Sequence, residues 1–162
     1  MRCGPDDAER IYRVLADPSI SGLLYSDEHE GLFHIGLVRG ILGRPECYLL
    51  LPHSDCVLEF LPMGDNKFDG HVAVLPTLRG PARIGAIRSA LRWMFENSDC
   101  EQIEAKFADY NRPGKLLMPI LGFKRAKVEK DSWRKNGKVY DQVVYRLSKG
   151  EFNVVHQQHF GL

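Results

Sequence analysis

The chain has 162 residues, 44% of them hydrophobic and 27% charged, with a formal net charge of +1. That length fits one domain with a core of its own. A charge so near zero excludes bulk attraction to nucleic acid or to an anionic lipid surface. No apolar run approaches the roughly 20 residues of a membrane span, and the opening MRCGPDDAER has no apolar signal core. Cys3, Cys47, Cys56 and Cys100 stand apart with no CxxC pair, which predicts free thiols in a reducing compartment and a cytoplasmic location.

In chain order, PDDAERIYRVLADP predicts a first helix. Asp6 or Asp7 caps it, Ile11, Val14 and Leu15 form its apolar face, and Pro18 ends it. Residues 19–46 are rich in glycine, with GLFHIGLV reading as a short strand. CYLLLP (47–52) and CVLEFLP (56–62) read as a hairpin, and HVAVLP (71–76) as a further strand. From about Pro81 to Asn97, the residues Ile84, Ile87, Leu91, Met94 and Phe95 recur at helical spacing. QIEAKF (102–107) is again a strand. Next, YNRPGKLLMPILGF (110–123) keeps a helix start at Asn111 and a stop at Gly122-Phe123, yet carries Pro113, Gly114 and Pro119 between them. FKRAKVEKDSW and KVYDQVVYRL flank Asn136-Gly137, a turn whose two central positions need positive φ. The predicted organisation is one domain over 1–148 with a tail over 149–162. Its element order argues for a mixed α/β or α+β fold, a mostly antiparallel twisted sheet with helices on both faces.

Chemistry concentrates in a few places. LPTLRGPARIGA (75–86) joins strand to helix with Gly80, Pro81 and the cations Arg79 and Arg83. Free N–H groups at such a helix start make an anion site suited to a pyrophosphate. The same pattern also fits an ordinary helix start with solvated arginines, and spacing alone leaves the two level. Glu59, inside CVLEFL, reads as a base with a raised pKa or as a paired edge-strand carboxylate. His71, at the start of a central strand, titrates in a useful range or is merely solvated. Asp141 reads as a substrate carboxylate or a structural acid, and Tyr145 as core. The HQQH run (156–159) with Cys47, His53 and Cys56 lacks the paired spacings of a zinc site, so no metal is expected. Segment 124–138 has seven basic residues and two acidic ones plus Trp133, either a nucleic-acid patch or a solvated hairpin, and the overall charge favours the hairpin.

The element order, LPTLRGPARIGA and IEAKFADYNRPGKLLMPILGF (103–123) together resemble the GNAT-type N-acetyltransferase superfamily. Its loop, RGxGxG in common form, holds the CoA pyrophosphate before a long helix. The resemblance covers about residues 47–147, and more narrowly suggests the small GNAT-like proteins of bacteriophages. It implies acetyl-CoA as cosubstrate, an unidentified amine as acceptor, and transfer of acetyl between them. Acetyl-CoA would lie along Val72, Val74 and Leu75, against Arg79, Gly80, Ala82, Arg83 and Gly85, and beside Asn111 and Lys115. Catalytic candidates are Glu59, His71 and Tyr145. Two departures stand out: Ala82 replaces a family glycine, and Met118 stands where the family often has a proton-donating Tyr. The alternative they raise is a weak or inactive GNAT-fold phage protein serving as a binding or virion-associated component. A second copy of the chain or a phage protein would be a further partner; membrane and nucleic acid are not expected.

Overall fold

A computed structural model describes residues 1–29 and 31–157. A 3-10 turn, Pro5–Asp7, runs into helix α1 (Ala8–Leu15), which buries Ile11, Val14 and Leu15 as its pattern predicts. Pro18 does more than end this helix. It opens α2 (Pro18–Leu24), where the Asp17 carboxylate accepts from the Ser19 N–H at 2.9 Å. The strand expected at GLFHIGLV does not form. Ile35–Leu42 is α3, because Val38, Ile41 and Leu42 fall on one face at helical spacing and pack on the core beside α1.

The sheet follows. The hairpin of β1 (Tyr48–His53) and β2 (Cys56–Gly64) matches the sequence reading. Strand β3 spans Lys67–Val74 and so begins four residues before the expected start. Asp65 and Asn66 take φ of 53° and 57°, which makes a tight turn and draws residues 67–70 into the strand. Then come α4 (Gly80–Asn97), β4 (Gln102–Ala108), α5 (Arg112–Leu121), β5 (Lys124–Lys135) and β6 (Lys138–Ser148). Asn136 and Gly137 take φ of 52° and 73°, as their turn requires. The expected tail continues as α6 (Lys149–Gln157), with Phe152 buried against Phe95 at 5.2 Å between ring centres. Gln158 and His159 of the HQQH run lie outside the described residues.

Among the described residues the six strands lie in the order β1-β2-β3-β4-β6-β5. All neighbours are antiparallel except β3 and β4. Alternation gives the sheet two faces. Leu58, Phe60, Ile103 and Leu147 pack under α4, α5 and α6, whereas Leu49, Val57 and Ala73 pack under α1, α2 and α3.

Helix α5 accounts for its own breakers. Asn111 Oδ1 accepts from the Gly114 N–H at 3.0 Å, and Gly122 closes the far end at φ 91°. Pro113 sits in the first turn, where a missing N–H costs little. Gly114 is a packing requirement, since a Cβ there would fall on the Phe107 ring. Only Pro119 removes a helical bond, that to the Lys115 carbonyl, and at the last turn Arg88 donates to Ile120 O at 3.0 Å.

Two glycines should therefore respond oppositely to alanine. Gly114→Ala should cost about 1–3 kcal/mol through overpacking against Phe107. Gly85→Ala, inside α4 with open space around its Cβ, should add about 0.4–1 kcal/mol. Urea unfolding of both variants checks the pair.

Candidate active site

Strands β3 and β4 pair over only three residues, Lys67–Asp69 against Gln102–Glu104. Beyond that point β3 continues to Val74 and β4 to Ala108, with no pairing between them. Gly70 sits at the fork. A Cβ there would lie 3.0 Å from Ile103 Cγ2, so a larger residue would press on the crotch. The fork opens a cavity of about 260 Å³ that runs through the sheet. His71 and Lys106 line it from one face, and Val72, Phe107 and Leu117 from the other. Gly70–Val74 and Ala105–Ala108 present main-chain edges toward it that no strand covers. The N–H and C=O groups on these edges are available to hydrogen-bond a ligand in place of water.

A second cavity of about 440 Å³ lies at the start of α4. It shares Ile20, Leu23, Val74 and Arg83 with the first, so the two form one groove. Gly80 takes φ 58° to turn the chain into the helix, and no side chain caps the helix N–H groups. Leu75, Arg79, Gly80 and Arg83 line this end. Arg79 is held in place by donating Nε–H to Pro76 O at 2.6 Å. Arg83 Nε is buried with no hydrogen-bond partner. An orphaned guanidinium N–H beside an uncapped helix start suits a diphosphate. The Ala82 side chain and Gly85 line neither cavity, and both residues are exposed, but the Ala82 main-chain N–H belongs to the uncapped first turn. The positive-φ turn falls at Gly80 alone, so Gly85 belongs to the helix body.

The polar wall of the first cavity centres on His71. Its Nε2 lies 3.1 Å from Asp69 Oδ2, two residues earlier on the same strand face. Glu59 stands directly across on β2, one strand back from the cavity. Burial raises the Glu59 pKa, with Asp69 adding to the rise and His71 opposing it. For His71, burial acts to lower the pKa, and Lys106 adds to this, but the Asp69 hydrogen bond and the charges of Asp69 and Glu59 outweigh both and raise it. For Asp69, burial acts upward, but His71 and Lys106 hold the pKa below its usual value. With Nε2 committed to Asp69, Nδ1 is the ring nitrogen free to exchange a proton.

Other expected residues lie elsewhere. Tyr145 is buried in the core on the α5 side, 6.1 Å from the Phe107 ring, and does not line the cavity. Met118 is 2% exposed and faces the core, touching only a pinched apolar space of about 20 Å³ below the fork. Tyrosine there would bury a hydroxyl among apolar side chains. Lys115 pairs with Asp109 at 2.8 Å and lines neither cavity, whereas Asn111 lines the first. Asp141 is structural, accepting from Lys130 at 2.9 Å and from the Asp131 N–H at 3.0 Å. Trp133 is no free stacking platform: it lines the cavity and donates to the Tyr110 hydroxyl at 2.8 Å. Lys124, Lys127 and Lys130 of the basic segment are in ion pairs. Sequence reasoning missed Asp69, Lys106 and Trp133 as cavity residues. The Asp65-Asn66 turn was the available signal for Asp69, since a strand starting at Lys67 puts it on the His71 face.

No protein-family model matches the sequence, and no curated protein matches it. Solved structures do. A spermidine N-acetyltransferase chimera from Vibrio cholerae superposes with TM-score 0.75 at 12% identity, covering 94% of this chain and 96% of that one. Mutant forms of the Vibrio cholerae spermidine/spermine N-acetyltransferase give TM-score 0.74 at 13% identity, covering 96% of each chain. A GNAT-family acetyltransferase from Bacillus anthracis gives 0.69 at 15%, covering 93% of each. The chain has the GNAT acetyltransferase fold.

Proposed function

We propose that this chain is an N-acetyltransferase that takes acetyl-CoA as cosubstrate and an amine as acceptor. The observation that carries the reading is the groove itself: a forked pair of parallel strands leading to an uncapped helix start with an orphaned arginine. When bound, acetyl-CoA supplies an acetyl group activated as a thioester, which passes to the amine nitrogen with release of the thiol. Arg83, Arg79 and the first N–H groups of α4 hold the diphosphate. The open edges of β3 and β4 satisfy the amides of the pantetheine arm, and Asn111 lies beside their path. Positioning is the main contribution such a site makes. The proton lost by the amine goes to His71 Nδ1, Asp69 fixes the ring by accepting from Nε2–H, and Glu59 strengthens the base through its charge. Neither Tyr145 nor Met118 takes part. A thiol of ordinary acidity, with a pKa of about 8.5, leaves without a dedicated side-chain acid. The alternative of a binding or virion-associated component has no observation of its own among the described residues. No described helix is long and apolar enough to cross a membrane.

Acetyl-CoA at a hundred times its dissociation constant should stabilise the protein by about 2.7 kcal/mol. Arg83→Gln should weaken binding about tenfold or more, the loss of roughly 1.4 kcal/mol or more. A melting curve unmoved by millimolar acetyl-CoA contradicts the reading.

Activity should depend on pH through His71. The base works when neutral, and its folded pKa is raised above 6.5, so kcat/KM should rise with pH through a limb above 6.5. In Asp69→Asn the limb should move down, since burial and Lys106 then dominate. Stability runs the other way. The His71 contribution is full below 6.5 and is lost as pH rises through the folded pKa. His71→Gln should cut kcat by about a hundred- to ten-thousand-fold, and a pH–rate profile of the three proteins separates these effects.

A further inference from the structure

Resting on the acetyl-transfer reading of this cleft, we propose that the acceptor is a small monoamine with an apolar body, neither a polyamine nor a polypeptide. Three features of the His71 side of the cavity carry this.

The first is a roof. Helix α2 supplies Ile20, Leu23 and Leu24 to the cavity wall. The segment after it is latched to the tip of the β5–β6 hairpin. The Asp27 N–H donates to Arg134 O at 2.9 Å, and the Asp27 carboxylate accepts from the N–H groups of Asn136 at 2.8 Å and Gly137 at 3.0 Å. Tyr110 donates its hydroxyl to Gly22 O at 3.2 Å and accepts from Trp133 Nε1 at 2.8 Å. This bridge joins α2 to the hairpin across the mouth of the fork. A polypeptide acceptor needs a trench open at both ends, and here its main chain would have to displace the Asp27 bonds. The cavity at the fork, about 260 Å³, must also admit the acetyl end of the cosubstrate, so the space beneath the roof suits a small body.

The second is charge. Among the described residues lining the cavity, Asp69 is the only carboxylate. Its Oδ1 has no hydrogen-bond partner, so its negative charge is only partly quenched. One ammonium beside Asp69 is therefore favoured when His71 is neutral. A second ammonium on the same molecule would meet Lys106 or Arg83. The carboxylates nearest Lys106 are already engaged, Glu129 at 3.3 Å and Glu104 with Arg146 at 2.9 Å. The third is the apolar character of Leu23, Leu24 and Trp133, which suits an alkyl or arylalkyl body rather than a polar one.

The test is a titration followed by tryptophan fluorescence, with and without unacetylated CoA. The ligands are hexylamine, phenethylamine, spermidine and a ten-residue peptide with a free N-terminus. Trp133→Phe leaves Trp93 as the only tryptophan and serves as the control. The expected result is a saturable change for both monoamines that is lost in Trp133→Phe. Spermidine and the peptide should bind at least tenfold more weakly. Asp69→Asn should weaken monoamine binding at least tenfold, and Asp27→Ala, which unlatches the roof, should narrow the gap between peptide and monoamine. Spermidine or peptide binding as tightly as the monoamines overturns the proposal, as does the absence of monoamine binding under both conditions. Because the readout needs no turnover, its failure is distinguishable from failure of acetyl-CoA to stabilise the protein.

Discussion

The separation of β3 from β4 after three residue pairs is the constraint on which the rest depends. Pairing of β3 and β4 along their full length would leave no cavity and no open main-chain edges between them. The fork is held open from both ends. At the crotch, Gly70 lets Ile103 and Phe60 close beneath it. At the mouth, Gly114 brings α5 down onto Phe107, and Asn111 fixes the start of that helix. Helix α4 then enters beside the open edge of β3, so its uncapped start and Arg83 lie in the same groove as the fork.

The fork also sorts side chains by chemistry. Because residues alternate across a strand, Asp69 and His71 face one side of the sheet while Gly70, Val72 and Val74 face the other. The apolar side carries the core under α4 and α5. The opposite side is packed by α1, α2 and α3 only as far as β3, and beyond it carries charged residues such as Lys106, Glu104 and Glu129. A path through the fork therefore runs from an apolar half, beside the start of α4, to a titratable half. The pair of Asp69 and His71 on β3 stands at that crossing and is the proposed proton acceptor.

Much of this was legible in the sequence, and the failures have physical causes. The Asn136-Gly137 turn, the apolar stripe of α4 and both ends of α5 were readable because each is fixed locally, by positive φ, by periodicity or by capping. Residues 19–46 were not, since α2 and α3 are short and draw their stability from packing on α1 and the sheet. Asp69 was hidden by placing the strand start at His71, which left the carboxylate in a presumed loop. The phase of α5 could not be set from its sequence. Met118 therefore looked like a site position, when Leu117 and Gly114 are the residues that turn toward the cavity. Arginine and glycine letters drew attention to Gly85, whereas a single glycine at Gly80 makes the turn.

The central claim is that acetyl-CoA occupies the fork and completes its open strand edges. Amide hydrogen exchange with and without acetyl-CoA tests it most directly. The account predicts slowed exchange in Gly70–Val74 and Ala105–Ala108 together with the first turn of α4, and little change in the β1–β2 hairpin. Protection confined to other segments, or no ligand-dependent protection at saturating acetyl-CoA, would contradict it.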